Sequence, residues 1–545
     1  MTDRMTPERL REALLDGDEI ALLDVREEGT FSRGHLLLAA CVPLSHLPLR
    51  IGRLVPRRDC RIVLVDAGDP ADPLAARALA CLTDLGYSQV SLLEGGLRAW
   101  QAGGHEVFSG VNVPSKAFGE VVEHWHDTPR LPASEVQAMQ QRGESLVILD
   151  SRPFPEFQRM SIPGGVDCPG AELVYRVHMM APDPDTTIIV NCAGRTRSII
   201  GAQSLINAGL PNRIFALKDG TMGWELAGLG VARGESTHAP VPDAQALARA
   251  QARARDVARR YGVRTITADE MLAWYADPAR TTMLLDVRTP EEFAAGHWPG
   301  ARHAPGGQLV QATDEYVATR GARLVLADSA DGVRATMTAH WLLQMGWPEV
   351  RVLTDAPPRP QAGLADEPLP AWPDGVTRLD VPALQARLAA GDPPVLIDLA
   401  TSLAFRRAHV PGAFWAIRAR LATCIEQLRA RGHAARQLVV MAPNPALARL
   451  AAADLRALLP GATIGLLEGT LADWQAAGGA VASGLDDALT EPDDVWWKPY
   501  DHVGGVAQAM KDYLTWEVGL VEQLERDGML RFRRHGARSE PSATT

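Results

Sequence analysis

"LLDVRTPEEFAAGHWPGA" fills residues 284–301, an apolar run that ends on an aspartate, with an arginine two positions on and a Gly-His and Pro-Gly pair behind. Three more stretches repeat it in outline: "LLDVREEGTFSRGH" from Leu22, "ILDSRPFPEFQRMSIPGG" from Ile148 and "LIDLATSLAFRRAHVPGA" from Leu396. Their aspartates, Asp24, Asp150, Asp286 and Asp398, are each more than 100 residues apart. That is the spacing of domains, not of solenoid repeats.

Each copy continues in the same order. A second apolar strand follows ("RIVLVD", "TIIVN", "RLVLAD", "QLVVM"), then a helix with apolar residues three and four apart. A short third strand comes next ("VSLLEGG", "IFALKDG", "VRVLTD", "TIGLLEG"), and three copies lead through a glycine turn to Trp100, Trp224 or Trp474. Short apolar strands alternating with helices predict parallel α/β domains, with function at the carboxyl ends of the strands. The expected domains are residues 5–110, 129–232, 263–356 and 377–484, followed by a helical tail over 485–545. Residues 233–262 are expected to form an exposed, Ala/Arg-rich connecting helix, and a Pro-rich joint precedes the fourth copy. The tail's aromatic and aliphatic residues predict docking onto a neighbouring domain or onto a second subunit. Residues 534–545 are expected to be disordered.

Bulk properties narrow the function. A net charge of −11 argues against a nucleic-acid partner. The first twenty residues carry charges throughout, so no secretory signal is expected, and no apolar stretch approaches the ~20 residues of a membrane span. The cytoplasm is the expected compartment, without a membrane partner. The six cysteines are scattered and form no C-x-x-C pair, so most are expected to be buried thiols rather than metal ligands.

One cysteine stands apart. In "IIVNCAGRTRSII" (188–200) Cys192 falls where a strand stops and a helix begins. Together, D-x-R, E-F, G-H-x-P-G-A, the cysteine loop and G-x-x-x-W resemble the rhodanese domain of sulfurtransferases, across nearly the whole chain. The resemblance implies α/β architecture as four tandem domains, each a mainly parallel sheet flanked by helices. It implies a single catalytic copy, the second, because the other loops read "DAGDPADPLAA", "DSADGVRA" and "MAPNPALAR". Aligning helices on Gly209 and Gly346 sets Ser329 opposite Cys192 and Arg334 opposite Arg197.

Cys192 is accordingly the expected nucleophile and persulfide carrier. The loop Ala193, Gly194, Arg195, Thr196, Arg197 and Ser198 is expected to bind a small anionic sulfur donor such as thiosulfate. Loop amides at a helix start favour anions and lower a thiol's pKa. In this reading Gly194 lets the loop curl, Arg195 and Arg197 attract the donor, and Ser198 caps the helix. Asp150 and Arg152 are expected to form a structural ion pair, with Glu156 as a further partner. Gly220 and Trp224 are expected beside the loop, with Lys218 or Asp219 facing the substrate. The C-x4-R spacing is one residue short of the C-x5-R of cysteine phosphatases and arsenate reductases. His35, His297 and His409 mark the other copies where the second has Ser161, so no histidine base is expected. His124 and His126 are expected to pack rather than bind metal, and Cys168 to be a buried thiol. No metal or cofactor is implied. The acceptor stays open between cyanide, a small thiol and a sulfur-carrier protein. So does a relay role in which the cysteine-free copies hold a partner, and a homodimer.

Overall fold

The computed structural model of the chain describes residues 3–363, 369–390 and 393–534. The expectation for residues 535–545 lies outside the described residues. Four α/β units follow one another, as the repeats predict. In the second, five parallel strands lie in the order Arg130–Leu131, Ile214–Leu217, Thr187–Asn191, Leu146–Asp150, Gly165–Asp167. The third and fourth sheets repeat this order. The first does too and gains a sixth strand: Thr319–Arg320 of the third unit pairs antiparallel with Ile20–Ala21. At the same junction Glu19 accepts hydrogen bonds from Thr281 N and Oγ1, both 2.7 Å. No helix among the described residues is long and apolar enough to cross a membrane.

The repeated motif is a set of local braces. Asp24 with Arg26, Asp150 with Arg152 and Asp286 with Arg288 form ion pairs at 2.5, 2.7 and 2.6 Å. Each arginine also donates to the carbonyl eight positions on, as Arg152 does to Met160. His35, His297 and His409 stack on Phe31, Phe293 and Phe405 at 3.7–3.8 Å and bond those residues' carbonyls. The G-H position thus fastens a helix end, far from the chemistry of proton transfer.

Two further junctions join the units. The second and third meet where Gly170 and Gly307 approach so closely that a Cβ on Gly307 would sit 2.9 Å from Gly170 N. The first and fourth meet where Arg418 donates to Ser45 O and Ala419 N to Ser45 Oγ, both 3.1 Å. The connecting helix Ala244–Tyr261 is not exposed as expected. Ala246, Ala250, Ala254 and Val257 are buried on one face against the helices Glu172–Met180 and Val333–Gln344, with the arginines outward. Alanines four apart let three helices approach closely.

The tail docks within its own chain. Leu520, Leu524, Met529 and Leu530 complete the core of the first unit with Leu10, Phe31, Trp100 and Phe108. The helix Val506–Asp527 then runs along the helix Val113–His126 to reach the second unit.

Candidate functional site

The strand Thr187–Asn191 delivers Cys192 to the carboxyl edge of the second sheet, and the helix Thr196–Asn207 leads away from it. The loop between is clamped from behind. Cys192 O accepts from Thr221 N (2.8 Å) and Thr221 Oγ1 (3.0 Å), and Ala193 O from Met222 N (3.0 Å). Gly220 has φ +57°, and a Cβ there would lie 2.4 Å from Cys192 O, so only glycine fits. Cys192 Sγ donates to Ser198 Oγ at 3.5 Å, and Ser198 Oγ donates to Arg195 O at 2.8 Å. Ser198 therefore does not cap the helix as expected: Arg195 holds the cap position, and Ser198 lies in the first turn beneath the sulfur. The first helical bond runs from Ile199 N to Arg195 O, so the amides before it have no partner inside the helix.

The two loop arginines expected to attract the donor are both paired with carboxylates. Arg195 is buried and matched by Glu120 (2.7 and 2.8 Å), Glu123 and Asp219 (3.3 Å). It braces the loop on the helix Val113–His126 rather than facing a donor. Arg197 forms a forked pair with Glu156 (2.9 and 3.2 Å) and donates to Gln308 Oε1 of the third unit (3.3 Å). Glu156 therefore belongs to Arg197, not to Arg152. The pair of Arg152 and Asp150 is about 1% exposed, and Asn191 Nδ2 also donates to Asp150 at 2.9 Å.

The tail covers the loop. Met510 packs on Ala193 and Met222, with Tyr500, Tyr513 and Leu514 around them. Thr196 Oγ1 donates to Glu517 Oε1 at 3.3 Å, as does Tyr513 OH at 2.8 Å. Gly194 does not adopt positive φ, so the curl argument fails for it. A Cβ there would lie 3.1 Å from Glu517 Oε2 and 3.3 Å from the Tyr513 ring, so the small residue admits the tail. Beside them Lys116 Nζ sits among Trp496, Tyr513 and Trp516, 4.8–5.3 Å from each ring. Cys192 is 2% exposed as a result. Burial pushes its thiol up, not down as expected; Arg197 and Ser198 oppose the shift, and Glu517 adds to it.

Replacing Leu520 by aspartate tests this cover at a distance from the loop. Unseating the helix is expected to speed alkylation of Cys192 by at least about tenfold, followed by peptide mass spectrometry.

Trp224 is not beside the loop; it lies in the core with Ile148, Ile162, Ile189 and Leu217. Lys218 is exposed, and Asp219 faces Arg195. Cys168 is a free thiol in the core with Leu149 and Leu173. His124 and His126 end the helix Val113–His126, and no cluster of three or more His, Cys, Asp or Glu able to hold a metal occurs among the described residues.

The strand register also corrects the alignment of the other loops. Asp150 pairs with Asn191, Asp24 with Val65, Asp286 with Ala327 and Asp398 with Met441. The residues at the place of Cys192 are therefore Asp66, Asp328 and Ala442; Ser329 is one position late. The Asp66 carboxylate accepts from Gly68 N (2.8 Å) and Ala75 N (2.9 Å). Asp328 accepts from Ser329 N (2.7 Å), Ala335 N (2.9 Å) and Arg334 Nε (2.9 Å). Two of the loops that lack the cysteine thus present a carboxyl group bonded by backbone amides of the loop and the helix that follows. Arg334 pairs with Glu292 as Arg197 does with Glu156.

A family model described as "Rhodanese-like domain" matches residues 6–103, 132–227 and 267–356; the fourth unit, outside these matches, keeps the same strand order. A crystal structure of a thiosulfate sulfurtransferase from Pseudomonas aeruginosa is 47% identical, with a TM-score of 0.90, over 97% of this chain and 99% of that one. A thiosulfate sulfurtransferase of Gallus gallus is 30% identical over 131 residues, 23% of this chain and 44% of that protein. The chain therefore spans less than half the length of that curated relative. A sulfurtransferase of Allochromatium vinosum is 27% identical over 100 residues, 18% of this chain and 89% of the relative.

Proposed function

We propose, from the premise that this chain belongs to the rhodanese-like family, that it is a sulfurtransferase working through Cys192 alone. The observation that carries the reading is the placement of one cysteine at a strand end, in a clamped loop, where two sister loops present an aspartate bonded to the loop's own amides. A loop of this kind suits an anion, and in the second unit that anion is the Cys192 thiolate or its persulfide.

The Cys192 thiolate attacks the outer sulfur of thiosulfate. An S–S bond forms, the bond to the sulfonate sulfur breaks, and sulfite leaves with the electron pair. Cyanide or a thiolate then attacks the outer sulfur of the persulfide and regenerates the Cys192 thiolate. Free amides before Ile199 and the Arg197 guanidinium stabilise the negative sulfur. The cover of Met510 and Tyr513 favours a small acceptor, because a protein thiol would have to displace the tail. Mixing the protein with thiosulfate and no acceptor tests the reading. One sulfur atom is expected on the Cys192 peptide with one equivalent of sulfite released; an unmodified Cys192 would refute it.

The electrostatics fix a pH dependence. Since the thiolate attacks and burial raises the Cys192 pKa, persulfide formation is expected to climb with pH through and beyond the ordinary cysteine range. Arg197→Gln removes the opposing positive charge and leaves Glu156 with only Lys498 Nζ, 3.7 Å away, as an ion-pair partner, which moves the thiol further up. A loss of about tenfold at neutral pH is expected, narrowing as pH rises. Stopped-flow measurement of sulfite release across pH checks both parts.

A further inference from the structure

A second site lies where the first unit, the third unit, the linker helix and the tail meet. Leu38, Ser115, Asp314, Arg320, Trp347 and Phe532 line a cleft there. Arg320 is held in place because its backbone pairs with Ile20 across the junction. Its guanidinium has no hydrogen-bond or ion-pair partner among the described residues; the Trp347 ring lies 6.0 Å away. Burial pushes it down to about 10, and no neighbouring charge opposes that shift. The side chain is half-buried, so its charge reaches the cleft without a protein counter-ion and only partly screened by solvent.

Two further features converge on the cleft. Ser115 is 2% exposed, and its Oγ has no partner among the described residues. It sits in the first turn of the 14-residue helix Val113–His126. Asn112, at the cap position, makes no capping bond and turns its Nδ2 to Glu315 Oε1 at 3.1 Å. The positive end of the helix is therefore uncapped beside an idle hydroxyl and an arginine without a counter-ion. Asp314 is the one acid lining the cleft. Burial and Glu315 push its carboxyl up to about 7, while Lys116 and Arg50 oppose the shift. Its neutral form donates a hydrogen bond to an oxyanion instead of repelling it.

We propose that this cleft binds a small oxyanion of the sulfite, sulfate or phosphate class, held by Arg320, Ser115 and the start of the helix Val113–His126. The same helix carries Glu120 and Glu123 to Arg195 and sets Lys116 among the tail's aromatic rings. An anion at its start therefore ties the junction of three units to the brace behind the Cys192 loop. The site stands independently of the sulfur-transfer reading.

The test is binding to the full-length Cys192→Ala protein, in which no persulfide can form at position 192. Sulfite, sulfate and phosphate are titrated by calorimetry at constant ionic strength, with chloride as the reference. Saturable binding of any of them, weakened about tenfold or more by Arg320→Met, supports the site. The three titrations separate sulfur oxyanions from phosphate as the source. Should Arg320→Met fail to fold, Ser115→Ala is expected to weaken binding severalfold with the melting curve unchanged. Crystals soaked in selenate are expected to show anomalous density beside Arg320. Chloride-level responses from all three anions, affinity untouched by both substitutions, or selenate bound only elsewhere would overturn the proposal.

Discussion

Cys192→Ala is expected to reduce thiocyanate formation from thiosulfate and cyanide by about a thousandfold or more, to the level of the uncatalysed mixture. The other five cysteines cannot substitute. Cys168 lies in the core of the second unit and burial holds its thiol well above the ordinary range; Cys60 and Cys424 are pushed up to about 12 and 11 by burial first. Cys41 ends the strand Ala40–Cys41, but burial holds its thiol well above the ordinary range, and the positions equivalent to Cys192 are Asp66, Asp328 and Ala442. The substitution removes a sulfur that bonds only Ser198, through its hydroxyl and its backbone N–H, so the melting temperature is expected to hold. Retained activity in a folded Cys192→Ala protein would sink the assignment.

Arg152→Met is expected to have the largest effect on stability. Asp150 and Arg152 are both buried beneath the Cys192 loop, and the substitution leaves the carboxylate with only Asn191 Nδ2 and the backbone N–H of residue 152. Breaking a buried pair from one side costs about 3–5 kcal/mol, because an uncompensated charge stays behind. Urea unfolding followed by tryptophan fluorescence is expected to show the transition moving to lower urea by that amount. The double variant Asp150→Asn with Arg152→Met should recover part of the loss, since neither partner is then charged. Equal losses in the single and double variants would mean that shape, not charge, holds this position.

The order of strands and helices was legible because each copy spells it with the same signals. Apolar runs end on an aspartate, amphipathic helices follow, and glycine turns lead to tryptophan. The matching of loops was less so. Counting back from the helices put Ser329 opposite Cys192, but six positions separate Asp328 from Arg334 where five separate Cys192 from Arg197, and only strand pairing shows where the extra residue falls. The charge of the site was legible by sign and not by balance. Arg195 and Arg197 are visible in the loop, whereas Glu120, Glu123 and Gln308 reach them from the linker and the third unit. Glu517 arrives from a helix more than 300 residues downstream, and nothing local announces it. The Ala246, Ala250, Ala254 spacing was the signal that the connecting helix is buried; the many arginines on its other face masked it.

The strand Thr319–Arg320 gives the chain a property that its ancestry of copied units would not suggest. It belongs to the third unit by sequence and to the first by its hydrogen bonds. A gene cut at the linkers would release a first unit with one open strand edge at Ile20–Ala21, and a third unit whose strand Thr319–Arg320 has lost its partner. Unpaired strand edges invite sticking between molecules. Duplication could multiply this architecture by simple addition, but subtraction is harder: losing a copy would strip a surface from its neighbours. That gives a physical reason for the three units whose loops lack a cysteine to persist around the one whose loop carries it.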